Sequence, residues 1–168
     1  MSSIIFLYLL IAVHAMILRE ATIHDFKQLK ELKKEFFQWE CSQDPDLDPS
    51  WTKRTLGIRL GKNLRQKNIA FFLALDEGKA IGYVGVEIYK APSQYIPKRE
   101  SHIFNLYVRP AFQNRGIGRK LLQRALSWAK GKKVNCIKIM HFSNNKIAQK
   151  LYAGHGFVEE VRVMWLSL

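Results

Sequence analysis

Between residues 101 and 158 the chain contains no aspartate or glutamate, while lysines and arginines recur from Arg109 to Lys150. This one-sided stretch accounts for much of the net charge of +13, and a focused cationic field of that kind concentrates polyanions. Cysteine is scarce as well. Cys41 and Cys136 lie far apart, which suggests neither a disulfide framework nor a Cys/His metal pattern, and no metal is expected. No apolar run approaches the ~20 residues that a membrane-spanning helix needs. The longest such run, residues 3 to 13, has the length of a signal-peptide core with Val13-x-Ala15 behind it, but no positive charge precedes it. Met16 is an alternative start. Residues 1–15 are therefore set apart as an apolar extension. They are expected to pack into an intramolecular or intersubunit groove, as a homodimer would provide. Free thiols and the lack of a stable span fit the cytoplasm.

The remainder, 16–168, has the size of one domain with a sizeable core. Strands are expected over residues 16–22, 69–75, 79–89, 103–108, 134–142 and 157–166, the second and third joined by the hairpin signal Asp76-Glu77-Gly78. Helices are expected from residue 26, over 51–67, from 117 and over 144–153. Two prolines and three aspartates make residues 40–49 a loop, with Asp48 or Ser50 placed to cap the next helix. The order β-α-α-β-β-β-α-β-α-β implies an α/β domain with a mixed sheet.

The most informative stretch runs from Asn105 to Lys120. Pro110 ends a strand, and Gly116 and Gly118 bracket the start of an amphipathic helix carrying Ile117, Leu121, Leu122, Ala125 and Ala129. Glycines at a strand-to-helix turn leave backbone N–H groups bare at the positive end of the helix dipole, which is an anion site. A dinucleotide fingerprint would need a third glycine where Leu121 stands, and a nucleotide-triphosphate loop would need Gly-Lys-Ser/Thr. What is present is Gln113-x-x-Gly116-x-Gly118 after Val108-x-Pro110, which resembles the acyl-CoA-binding motif of the GNAT superfamily of N-acetyltransferases. Asn145-x-x-Ala148-x-x-Leu151-Tyr152-x-x-x-Gly156-Phe157 resembles the C-terminal signature of the same superfamily. The resemblance covers roughly residues 16 to 166.

That resemblance implies an α+β-type fold: a mixed, mostly antiparallel sheet of six to seven strands, flanked by about four helices. A central parallel pair, residues 103–108 and 134–142, would splay to admit the pantetheine arm of acetyl-CoA. Backbone groups of Leu106, Tyr107 and Val108 would hold the arm and polarise the thioester. Amides of Gln113, Asn114, Arg115, Gly116, Ile117, Gly118 and Arg119 would cradle the diphosphate, and Asn145 would bond to the arm. Tyr152 would protonate the departing thiolate. Some members carry a glutamate base where Met140 stands here, so the base is sought at His102 or Glu87, with His141 behind them. His102 alternates with Phe104, Leu106 and Val108, which suits a structural histidine unless a bulge turns it. In the family, the first two helices and their connection wall the acceptor site. Here that connection, residues 38–49, carries Glu40, Asp44, Asp46 and Asp48 in an otherwise basic protein. An amine acceptor arrives largely as a cation, so a polyamine-like molecule or a basic peptide amine is expected to bind Asp44, Asp46 and Asp48. A non-catalytic acyl-CoA sensor is the alternative. Nucleic acid is not an expected partner, because the aromatics of the basic half sit within strand and helix patterns.

Overall fold

Residues 69 to 75 are apolar without alternation, which suits a strand covered on both faces. In the computed structural model of the chain, which describes residues 16–94 and 99–164, this segment lies inside a five-stranded sheet. The strands are β1 (Ile17–Glu20), β2 (Ile69–Asp76), β3 (Lys79–Lys90), β4 (Arg99–Val108) and β5 (Cys136–Ile139), and they lie side by side in chain order. Neighbours from β1 to β4 are antiparallel, and β4 and β5 are parallel. Among the described residues, four α-helices flank the sheet: α1 (Phe26–Gln43), α2 (Gly57–Asn63), α3 (Ile117–Gly131) and α4 (Lys146–Ala153).

Successive residues of β2 enter different cores. Phe71, Leu73 and Leu75 pack with Leu29 and Leu32 of α1 and Leu60 of α2. Ala70, Phe72 and Ala74 pack with Ile117, Leu121, Leu122, Ala125 and Ala129 of α3, and Tyr152 of α4 joins them. The sheet is thus a middle layer, with α1 and α2 on one face and α3 on the other.

The expected six to seven strands are corrected to five among the described residues, and the parallel pair lies at the sheet's margin instead of its centre. The difference is the expected strand over 157–166. Residues 157–164 form no strand, and Val158, Val161 and Val163 are exposed; 165 and 166 lie outside the described residues. Alternating valines supply strand propensity, but a strand also needs an edge to pair with. Residues 1–15, with their expected groove, also lie outside the described residues. The expected helix over 51–67 opens as a π turn (Thr52–Leu56) before α2, without a side-chain cap. The expected loop from residue 40 starts later, because α1 continues to Gln43.

The entry to α1 is fastened by one buried carboxylate. Asp25 accepts from both terminal nitrogens of Arg19 on β1 at 2.7 Å, and from the Thr22 amide at 2.8 Å. The Arg19 guanidinium holds the Asp25 pKa down at about 2. A depressed carboxylate contributes stability that is present above its unfolded pKa and is lost as pH falls through its folded one. The window here is therefore from about 4 down to about 2. Asp25→Asn is expected to cost about 2 kcal/mol at neutral pH. Chemical denaturation at pH 7 and pH 2.5 checks this, since the difference from wild type should shrink at the lower pH.

Candidate active site

The site begins with an irregularity in β4. Val84 pairs with Leu106, but the next residue, Gly85, pairs with Phe104, so Asn105 is the extra residue of a β-bulge. Its φ of 58° lies in the left-handed region, where asparagine is better tolerated than most residues. The Lys33 ammonium of α1 donates to Asn105 Oδ1 at 2.8 Å. That ammonium lies 5.3–5.6 Å from the ring centroids of Phe71, Tyr83 and Phe104, and desolvation lowers its pKa to about 8. Gly85 makes room for the bulge, because a Cβ there would stand 2.6 Å from the Phe104 ring.

The bulge inverts the strand's alternation. Phe104 and Tyr107 pack toward α1, whereas Ile103, Leu106 and Val108 pack toward α3. The expectation that His102 alternates with Leu106 and Val108 is therefore corrected: of the three residues it shares a face with Phe104, and past the bulge with Tyr107.

Beside the bulge the parallel pair separates. Pairing with β5 ends at Ile103↔Ile139, while β4 runs on to Val108. Arg109 donates its amide to Ile81 of β3 at 2.9 Å. Strand alternation then turns the main-chain groups of Val108 and Leu106 away from β3, into the gap. Val108 O accepts from Gln113 Nε2 at 2.9 Å, which folds the following turn back onto the strand. Asn114 and Gly116 both take positive φ, 60° and 75°, and α3 starts at Gly116 with no side chain capping it. Its first-turn N–H groups are therefore bare at the mouth of the gap.

Gap and helix mouth belong to one cavity of about 750 Å³, within the size range of small-molecule and cofactor sites. It brings together His102, Leu106, Tyr107, Val108, Gln113, Asn114, Gly116, Ile117, Gly118, Arg119, Asn145 and Tyr152. Asn145 Oδ1 accepts from the Ala148 amide at 3.0 Å, capping α4, and the residue lines the cavity. Tyr152 is 8% exposed, packs against His141 and Phe157, and burial pushes its pKa up to about 12.

Other expected residues stand elsewhere. Arg115 stacks on Phe112 at 5.2 Å and donates to Ala111 O, outside the lining. Glu87 is not in the wall, but its carboxylate stands 3.6 Å from His102 Nδ1. Asp44, Asp46 and Asp48 also lie outside the lining. Asp44 accepts from the Asp46 amide at 3.0 Å, and Asp48 pairs with Arg54 at 2.6 Å while holding the Ser50 turn.

Sequence reasoning expected the first helices to wall the acceptor site but did not name Phe36 or Trp39 and read Glu40 as loop; α1 supplies all three to the lining. The spacing Leu29, Lys33, Phe36, Glu40 was the available signal, since these positions share one helical face. Asn105 was missed too; a lone asparagine in an apolar strand was its sign. Among the described residues no cluster of three His, Cys, Asp or Glu could hold a metal ion, and no helix is long and apolar enough to cross a membrane.

A strand pair that parts beside an uncapped helix mouth gives this α/β protein a cleft that opens onto a bare helix N-terminus. Residues 26–157 match the model of the acetyltransferase (GNAT) family, and the chain belongs to that family. An uncharacterised N-acetyltransferase of Methanocaldococcus jannaschii is 31% identical over 107 residues, 62% of this chain and 46% of that protein. The chain spans about half the length of the relatives it matches. Among solved structures, a mutant protein from Bacillus halodurans superposes with a TM-score of 0.81 at 22% identity, covering 91% of this chain and 99% of that one. An aminoglycoside N-acetyltransferase in complex with CoA superposes with a TM-score of 0.72 at 20% identity, covering 92% and 95%.

Proposed function

We propose that this chain is an acetyl-CoA-dependent N-acetyltransferase, passing the acetyl group directly to a cationic primary amine in a ternary complex. The observation that carries the reading is the continuity of the gap beside Leu106 and Val108 with the bare amides at the start of α3. A thioester carrier needs both features in one cleft: main-chain partners for an extended arm, and an anion site for its diphosphate. The relative crystallised with CoA, itself named for action on an aminoglycoside, supports both the carrier and the class of acceptor.

Main-chain groups at Leu106 and Val108 orient the arm, with Tyr107 between them turned to β3, and a backbone N–H in the gap polarises the thioester carbonyl, a contribution typically of ~3 kcal/mol. Amides from residues 113 to 119 take the diphosphate, and Asn145 donates to the arm. The amine nitrogen attacks the carbonyl carbon, the C–S bond breaks, and Tyr152 gives its proton to the sulfur. On β4 and β3, His102 is the candidate base that lines the cavity, with the Glu87 carboxylate 3.6 Å from its Nδ1.

Asp44, Asp46 and Asp48 would act on the acceptor from outside the lining, through solvent. Replacing all three with asparagine is expected to raise acceptor KM about threefold at low ionic strength, with the effect fading by ~0.5 M salt as screening shortens. Thiol release from acetyl-CoA, measured against a panel of cationic and neutral amines, tests the reading and this variant together. Acetyl-CoA binding without thiol release on any amine would favour a sensor, and an unchanged KM at low salt would remove the aspartates from acceptor binding.

A further inference from the structure

The wall opposite the gap is built by the last turns of α1. Phe36 stacks with Trp39 at 5.7 Å between centroids, and Trp39 meets Phe142 edge-on at 5.8 Å. Asn144 donates to Gln43 at 3.1 Å, which ties the end of α1 to the segment leading into α4 and sets this turn across the cleft. Glu40 lines the same cavity as these three rings. Its half-buried carboxylate has no hydrogen bond or ion pair among the described residues. The contrast with Glu35 is informative, because Arg109 grips that carboxylate through two bonds of 2.8 and 3.0 Å. Of these two glutamates on α1, Glu35 fastens the helix to the end of β4, and Glu40 is left open to the cavity.

A carboxylate among aromatic rings is a recognition element for an ammonium ion: the rings favour a cation over their faces, and the carboxylate supplies the counter-charge. We propose that Glu40 receives the acceptor amine, holding its ammonium among Phe36, Trp39 and Phe142 and taking the proton that frees the nitrogen lone pair. This deepens the acetyl-transfer reading and rests on it. The protons balance. The ammonium gives one proton to Glu40, which passes it to solvent. After attack, the nitrogen's second proton replaces the one Tyr152 has given to the sulfur, so an amide, a free thiol and one released proton are formed.

The environment suits the task. Desolvation raises the Glu40 pKa to about 7, an effect the nearby Lys33 charge partly offsets. A base with that pKa is unprotonated over the upper half of the physiological range and still basic enough to accept a proton. The other titratable groups around it are Lys33 of α1, Tyr83 of β3, His102 and Tyr107 of β4, His141 beyond β5, and Tyr152 of α4. Lys33 titrates at about 8, and burial raises the pKa of all three tyrosines, Tyr83, Tyr107 and Tyr152, so none of these groups accounts for a rate that rises through about 7.

The test uses the full chain, acetyl-CoA and a diamine acceptor, with Glu40→Gln, Glu40→Asp and His102→Gln compared with wild type. The expected result is a roughly 100-fold fall in kcat/KM for Glu40→Gln, loss of its rise through pH 7, and partial recovery in Glu40→Asp. Acetyl-CoA affinity should stay within error of wild type in both Glu40 variants, and the melting temperature of Glu40→Gln should not fall, because a neutral side chain removes a desolvated charge. If Glu40→Gln keeps kcat/KM within about threefold, or keeps the acid limb while His102→Gln loses it, the role is not Glu40's. Should wild type fail to bind acetyl-CoA in a direct titration, the acetyl-transfer reading itself fails, and that titration separates the two failures.

Discussion

Gly116→Glu protein is expected to fold normally and to bind acetyl-CoA at least 100-fold more weakly than wild type. Two effects act at this position. The φ of 75° is one that a side chain adopts at a cost of about 1 kcal/mol. A Cβ there would meet nothing within 4 Å and the residue is exposed, so the core has no reason to respond. The carboxylate adds the larger effect. Placed ~5 Å from a phosphate at an effective dielectric near 20, one charge pair repels by roughly 3 kcal/mol, which alone is about 100-fold in affinity. Gly116→Ala separates the contributions, since it carries the backbone strain without the charge and should lose less than ~10-fold. Titration calorimetry with acetyl-CoA gives the affinities, and circular dichroism reports the fold.

Tyr152→Phe is expected to lower kcat about 100-fold and to leave acetyl-CoA affinity within about twofold of wild type. Phenylalanine preserves the ring that packs against His141 and Phe157, so the variant removes the hydroxyl and little else. Burial raises the Tyr152 pKa to about 12. A raised pKa keeps the group in its acid form until pH approaches that value, so Tyr152 holds its proton throughout the neutral range. Its loss should therefore scale the pH profile down without moving the limb near neutrality. Single-turnover measurement of thiol release across pH 6–9 checks both parts. An unchanged kcat would leave Tyr152 a packing residue.

What the sequence made legible follows from how local each signal is. The stop at Pro110, the glycines at 116 and 118, and the amphipathic run from Ile117 are encoded within one short stretch, and they reappear as the end of β4 and the start of α3. The hairpin at residues 76–78 is local in the same way. The bulge at Asn105 depends on Gly85 from a neighbouring strand and Lys33 from a distant helix, so no window around residue 105 contains its cause. The reach of α1 to Gln43 was obscured by the prolines and aspartates just beyond it, and Glu40 was read with that loop instead of with the face carrying Lys33 and Phe36. The expected strand after Gly156 fails for the opposite reason: residues 157–164 have the pattern, but no described edge pairs with them.

Co-crystallisation with acetyl-CoA tests the central claim most directly. The expected result is density for an extended arm between residues 106–108 and 140–142, with the diphosphate over the amides of residues 116 to 119. A cofactor bound elsewhere on the chain, or a gap that stays closed at saturating acetyl-CoA, would contradict it.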